Sequence, residues 1–178
     1  MSSLYDNELS FELEAWRNTY VMSPQLWSMF SVSDLPGVNF KNWHSLKLFN
    51  EAGTAFSDRL KSVPTTTGGI YVYCICPEVI PGCGCYIMYV GKATKTSHEN
   101  LRRRVSTYQQ EIGNDYKRDR LHRLFSKWGQ YVYLFYLPIR SDADTILELE
   151  TRLIAAFVPP CNSDIRAKGV KHAVRAFM

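Results

Sequence analysis

Two short runs constrain this chain more than anything else in it. Gly69-Ile-Tyr-Val-Tyr-Cys-Ile75 alternates and is rich in β-branched and aromatic residues, and Cys85-Tyr-Ile-Met-Tyr-Val-Gly91 does the same before ending on glycine. Both read as short strands, and the Pro81-Gly82 turn between them predicts a β-hairpin. Period-2 geometry places Tyr71 and Tyr73 on one face of the first strand. The segment around Pro77-Glu-Val-Ile-Pro81 is expected to protrude as a loop.

Downstream, the pattern changes to helical. A helix is predicted from about Ser97 to Tyr108, with Ser97 as its cap and Leu101, Val105 and Tyr108 on its inner face. Arg104 sits beside that stripe, while Arg102 and Arg103 point elsewhere. Gly113-Asn114 breaks the chain. A second helix is expected over about residues 115–128, with Leu121, Leu124, Phe125 and Trp128 on one face. Lys117, Arg118, Arg120, Arg123 and Lys127 fall mostly on the others, where they form either a DNA-backbone contact or an ordinary solvated surface. Tyr131 to Ile139 is a strand apolar on both faces, and therefore central. Ser141-Asp142-Ala-Asp144 caps a further helix whose stripe is Ile146, Leu149, Leu153, Ile154 and Phe157, and Pro159-Pro160 ends it. Glu150 lies on that stripe and Glu148 does not. A carboxylate facing the interior is costly unless it meets a cation or donors. A divalent metal would serve; a boundary glutamate reaching to solvent is the alternative.

Residues 1–61 are read as an N-terminal extension packed on a core of residues 62–165, with a basic tail at 166–178. Ser23-Pro24 marks a helix start, and Leu35-Pro36-Gly37 marks a turn. Trp43, Leu46, Phe49, Phe56 and Leu60 recur at near-helical spacing, which predicts a second helix over 42–61. In the tail, Val170, Ala173, Val174 and Phe177 recur at helical spacing, so that this segment docks as a helix or contacts DNA. Residues 1–60 hold seven acidic and four basic residues, whereas residues 91–128 hold ten Lys/Arg against four acidic ones, which points to a polyanion partner on one face. No apolar run reaches the ~18 residues of a membrane span, and the acidic N-terminus does not read as a secretory leader. The five cysteines are then expected as reduced thiols in a cytoplasmic protein. Cys74-x-Cys76 and Cys83-x-Cys85 on facing strands permit a four-thiolate zinc site. Their spacing is tighter than zinc knuckles use, so plain thiols are the favoured reading.

Gly69-Ile70-Tyr71, Tyr89-Val90-Gly91, Leu101-x-x-Arg104-x-x-x-Tyr108, and Leu149-Glu150-x-x-Leu153-Ile154 followed by Pro159-Pro160-Cys161-Asn162 stand in the order of the GIY-YIG nuclease motifs. Over roughly residues 62–165 the chain resembles that family, the fold of the bacterial nucleotide-excision incision protein and of some homing and restriction endonucleases. The resemblance implies an α+β fold: a small three-stranded, mostly antiparallel sheet flanked by helices, here with an N-terminal helical extension.

It also implies a metal-dependent endonuclease hydrolysing phosphodiester bonds. One magnesium or manganese ion would sit on Glu150. Arg104 would steady the scissile phosphate, Tyr71 would be the general base, and Tyr89 would hydrogen-bond beside it. Lys92 is a further electrostatic candidate, Tyr108 has a secondary role, and Asn162 either orients the site or bonds backbone. Arg102, Arg103, Lys117, Arg118, Arg120 and Arg123 are the expected DNA contacts. A free-standing nuclease is most like the type II restriction enzymes of the family, acting on double-stranded DNA as a homodimer. The alternatives are a phage or mobile-element nicking enzyme, a catalytically inactive nucleic-acid-binding module on the same fold, and a zinc-stabilised interaction domain.

Overall fold

The computed structural model describes residues 13–35, 38–80, 82–112 and 119–177. Its sheet has four strands: β1 (His44–Lys47), β2 (Gly68–Ile75), β3 (Tyr86–Ala93) and β4 (Val132–Ile139). They lie in the order β1-β4-β2-β3, every pair antiparallel. The hairpin of β2 and β3 forms as its alternation requires, and β4 is central. β2 passes close to β4 at Gly69, where φ is +147° and an added Cβ would meet the Leu137 carbonyl oxygen at 2.1 Å. Only glycine fits there.

The fourth strand corrects two expectations, the three-stranded sheet and the helix over 42–61. Residues 44–47 pair with Tyr133–Tyr136 of β4. After Phe49 the chain reverses at a turn in which the Asn50 side chain accepts the Thr54 N–H at 3.0 Å and Gly53 takes φ +68°. An Asn/Gly turn and a strand partner outcompete helical periodicity. The apolar residues of this stretch are nonetheless core: Leu46, Phe49, Phe56 and Leu60 are buried, and the Phe49 and Phe56 rings meet Phe125 at 5.6 and 5.7 Å.

Helices pack on both sides of the sheet. α1 (Pro24–Met29) is capped by Ser23, as expected. α2 (Leu101–Ser106) is capped by Asn100 rather than Ser97, because the Asn100 side chain accepts the Arg103 N–H at 2.9 Å. The Thr96 hydroxyl takes the His98 and Glu99 amides at 3.2 and 2.9 Å and keeps that segment a turn. Tyr108 then falls in a 3-10 turn, Thr107–Glu111. α3 (Asp119–Trp128) buries Leu121, Leu124 and Phe125. α4 (Ala143–Phe157) is capped by Asp142 and stops at Val158, in the left-handed region just before Pro159. α5 (Lys168–Phe177) docks through Val170 and Val174. The Gly113-Asn114 break, Lys117, Arg118, Pro36-Gly37 and Pro81 lie outside the described residues.

The sheet thus separates two apolar layers. Tyr71, Tyr73, Leu134 and Tyr136 pack with Leu101, Val105 and Tyr108 and with the buried side of α3. Ile70, Val72 and Leu137 pack with α4 and α5 on the opposite side. A register shift between Tyr73 and Cys74 leaves Met88 without an opposing residue. The bulge turns both Met88 and Tyr89 toward the first layer.

Beyond Ile75–Tyr86 the next facing residues are Cys76 and Cys85, and they form a disulfide. This corrects the expectation of five reduced thiols. Cys74, Cys83 and Cys161 are free. With two of its thiols bonded to each other, the hairpin does not form the four-thiolate arrangement. Among the described residues no helix is long and apolar enough to cross a membrane.

Candidate active site

The two tyrosine-glycine triplets are coupled by register. Tyr71 faces Gly91 across the hairpin, and the Tyr71 ring lies over that glycine. A Cβ at Gly91 would stand 2.4 Å from both Cζ and Oη of Tyr71. The glycine of the second triplet is therefore the floor on which the tyrosine of the first one lies.

Around this floor four tyrosines meet. Tyr71, Tyr73 and Tyr89 come from the hairpin, and Tyr108 descends from the turn after α2, with ring centroids 5.7–6.2 Å apart. The Tyr108 hydroxyl is the hub: it lies 2.6 Å from the Tyr71 hydroxyl and 3.2 Å from that of Tyr89. Tyr71 and Tyr108 are buried and Tyr89 is half-buried, so solvent meets this chain of hydroxyls at Tyr89. Burial raises the Tyr71 pKa well above that of an ordinary phenol, and the neighbouring Tyr108, Tyr89 and Tyr73 raise it further. The resting Tyr71 is a neutral phenol.

Arg104 projects from α2 onto this cluster, its guanidinium carbon 5.8 Å from the centre of the Tyr108 ring. Its Nη1 faces Glu99 at 3.9 Å, and its buried Nε has no hydrogen-bond partner among the described residues. Burial works against the charge, but Tyr71, Tyr108 and Glu99 outweigh it and hold the group cationic. Glu99 was not a candidate from sequence; its side chain also accepts the Thr94 N–H at 3.4 Å. It ties the loop after β3 to Arg104.

Glu150 stands half-buried on α4 and faces the same end of the sheet. Burial raises its pKa; the charges of Lys92, Arg166 and Arg104 and the Lys92 amide oppose that. Lys92, opposite Ile70 in the hairpin, is thus an electrostatic neighbour of Glu150. Arg166 is an unforeseen one. Its signal was available: it lies close in sequence after Asn162, which is anchored at the site.

Asn162 is occupied structurally. Its Oδ1 accepts the Val90 N–H at 2.9 Å and its Nδ2 donates to the Val90 carbonyl at 2.8 Å. β3 is an edge strand, and this bidentate clamp, with the Cys161 N–H donating to the Met88 carbonyl at 2.9 Å, covers its open side. Of the two sequence readings of Asn162, backbone bonding is the one the geometry forms.

The expected DNA contacts divide. Arg102 donates from Nε to the Val63 carbonyl at 2.7 Å and from Nη2 to that of Lys61. Arg120 Nη1 donates to the carbonyls of Pro160 and Asn162 at 3.1 and 3.3 Å. Arg123 donates to the Ala15 carbonyl at 3.0 Å and lies over the Trp128 ring. These three guanidinia each hold a loop in place, and the side chains of Arg120 and Arg123 remain exposed. Arg103 is exposed.

A cavity of about 600 Å³ between α1 and the sheet, lined by Trp27, Trp43, Phe135 and Phe157 among others, includes neither Tyr71 nor Glu150. The described residues gather no group of three or more His, Cys, Asp or Glu side chains; with Glu99 engaged by Arg104 and the Thr94 amide, the donor for a metal is the carboxylate of Glu150. One carboxylate suits magnesium, which keeps several waters and takes the rest of its oxygens from substrate phosphate. The half-buried Glu150 makes no ion pair within 4.0 Å among the described residues, so an incoming cation would relieve its burial cost. The residues fit such an ion. Compared with protein-family models, with curated proteins and with solved structures, the chain gives no match.

Proposed function

We propose that this protein is a divalent-metal-dependent DNA endonuclease of the GIY-YIG type, a sequence-specific restriction-like enzyme that works as a homodimer on duplex DNA. One observation carries the reading. Residues far apart in sequence (Tyr71, Tyr89, Arg104 and Tyr108) converge at the hairpin, with three of their hydroxyls linked and Arg104 against them, and the charges of Arg104 and Lys92 act on Glu150.

In this reading the planar fork of Arg104 grips two oxygens of the scissile phosphate. Lys92 adds positive field at the same end. Tyr71 first gives up its own phenolic proton through the Tyr108 and Tyr89 hydroxyls to solvent, and as the phenolate it would then accept the proton of the attacking water, which Tyr89, the half-exposed end of the hydroxyl chain, orients. Asn162 keeps Val90, and with it Tyr89 and Gly91, in position. Glu150 would hold a magnesium or manganese ion, which would supply charge neutralisation for the leaving oxygen. A phenol with an ordinary pKa of about 10 is a weak base at neutral pH, and Tyr71 lies above that. Its proton transfer therefore depends on the positive charge gathered around bound phosphate.

The burial of Tyr71 favours one second reading, a catalytically inactive nucleic-acid-binding module on the same frame. Cleavage of supercoiled plasmid separates the two, with magnesium, manganese or chelator and with wild type beside Glu150→Ala and Tyr71→Phe. Discrete linear fragments lost on chelation and in Glu150→Ala support the nuclease. DNA binding without metal-dependent cleavage on unmodified plasmids of varied sequence overturns it and leaves the binding module.

A further inference from the structure

We propose that α5 is the element on which this protein holds the sugar–phosphate backbone of its DNA, with Lys168, Lys171, His172 and Arg175 as the phosphate contacts. The proposal rests on the nuclease reading and names which surface takes the substrate.

α5 is two-faced. Val170 and Val174 pack inward, while Lys168, His172 and Arg175 are exposed and Lys171 is half-buried. The four side chains follow i, i+3/i+4, i+7 spacing and so form one stripe. At ~1.5 Å per residue the stripe runs ~10 Å, comparable with about three steps of ~3.4 Å along one DNA strand. These four and Ala176 line one shallow, open depression between their side chains.

Little in the chain balances this charge. Asp164 contacts Arg166 at 3.5 Å and Lys171 at 3.8 Å. Lys168 and Arg175 have no ion pair among the described residues. Lys171 and Arg175 stand at i, i+4, where like charges oppose helix formation. A merely solvated face gains nothing from that arrangement, whereas a polyanion compensates it. The contrast with Arg102, Arg120 and Arg123, tied to backbone carbonyls, is direct.

Position supports the same conclusion. The segment leading into α5 starts at Asn162, clamped to Val90 beside the tyrosines. It passes Arg166, whose charge reaches Glu150. The basic stripe therefore follows directly in sequence on a segment anchored beside the proposed site of cleavage.

The test is binding of the full chain to a labelled duplex in chelator, by fluorescence anisotropy across a salt series. The triple variant Lys168→Ala/Lys171→Ala/Arg175→Ala is compared with wild type, and with Lys41→Ala/Arg59→Ala/Arg140→Ala, three exposed cations elsewhere, as a control for net charge. Each lost phosphate contact lowers the slope of log K against log salt by ~0.9, so the triple variant should bind more weakly with a slope smaller by about 2–3. The control should keep the wild-type slope. Unchanged circular dichroism and thermal midpoint would show that the substitutions leave the fold intact. Wild-type affinity and slope in the triple variant would overturn the role of α5 and leave the nuclease reading standing. Equal loss of slope in the control would overturn it also. No duplex binding by wild type, together with no plasmid cleavage, would remove both.

Discussion

Gly91→Ala is the sharpest probe of the coupling between the two triplets. The added methyl would sit 2.4 Å from Cζ and Oη and 2.8 Å from Cε2 of Tyr71, against ~3.5–4.0 Å for ordinary carbon contact. The ring cannot easily move away. It is fully buried, flanked by Tyr73, Tyr89 and Tyr108, and its hydroxyl is 2.6 Å from that of Tyr108. Overpacking of this kind costs ~1–3 kcal/mol, and loss of the Tyr71–Tyr108 hydrogen bond adds ~1 kcal/mol. Gly91→Ala should therefore destabilise the protein by ~2–4 kcal/mol, a fall in midpoint of roughly 5–15 °C for a chain of this size. Urea unfolding of a double-mutant cycle isolates the cause. In a Tyr71→Ala background the methyl has space, so Gly91→Ala should add less than ~0.5 kcal/mol, giving a coupling of about 2 kcal/mol or more. A cost below ~0.5 kcal/mol in the wild-type background, in the range of ordinary surface changes, would refute the contact. So would the same cost in both backgrounds.

Two further outcomes follow from the site. Asn162→Ala leaves the buried Val90 N–H and C=O without partners, at ~1–3 kcal/mol for each unsatisfied group; the Val90 amide should lose its protection in hydrogen exchange, and retained protection would sink the clamp. For Glu150, burial raises the folded pKa, so the folded state holds the proton more tightly than the unfolded chain. Stability from this group is present below the ordinary carboxylate value of 4.5 and is lost as pH rises through the folded value. Glu150→Gln should accordingly unfold at higher urea than wild type at neutral pH, with the advantage closing in acid, even as it abolishes cleavage. A constant gap across pH would refute that account.

The hairpin, the central β4 and the cap and stripe of α4 were legible because one local rule governed each: alternation, a two-sided apolar run, or an N-cap before a helical period. Residues 42–61 misled because Leu46, Phe49, Phe56 and Leu60 do face the core. Two short extended segments around an Asn50–Gly53 turn gave them a spacing that passes for helical. What decided between the readings was the availability of β4 as a partner, a long-range fact that no local pattern carries. The Cys76–Cys85 bond was hidden in the same way. It required the bulge at Met88, which sets the hairpin register and thereby the two facing cysteines.

The charged residues show the deeper limit. Counting ten cations over residues 91–128 located positive charge in the chain but not on an accessible surface. An arginine carries five donors and satisfies stray backbone carbonyls better than any other side chain. Where an irregular loop crosses a helix, as at Lys61–Val63, Pro160–Asn162 and Ala15, the nearby guanidinium is drawn to it. On α5, Lys168 and Arg175 meet no such carbonyl and no ion pair among the described residues, while Lys171 lies 3.8 Å from Asp164. The denser basic segment thus uses several of its donors to hold the fold, and α5 keeps exposed cations where the proposal lays the phosphate backbone.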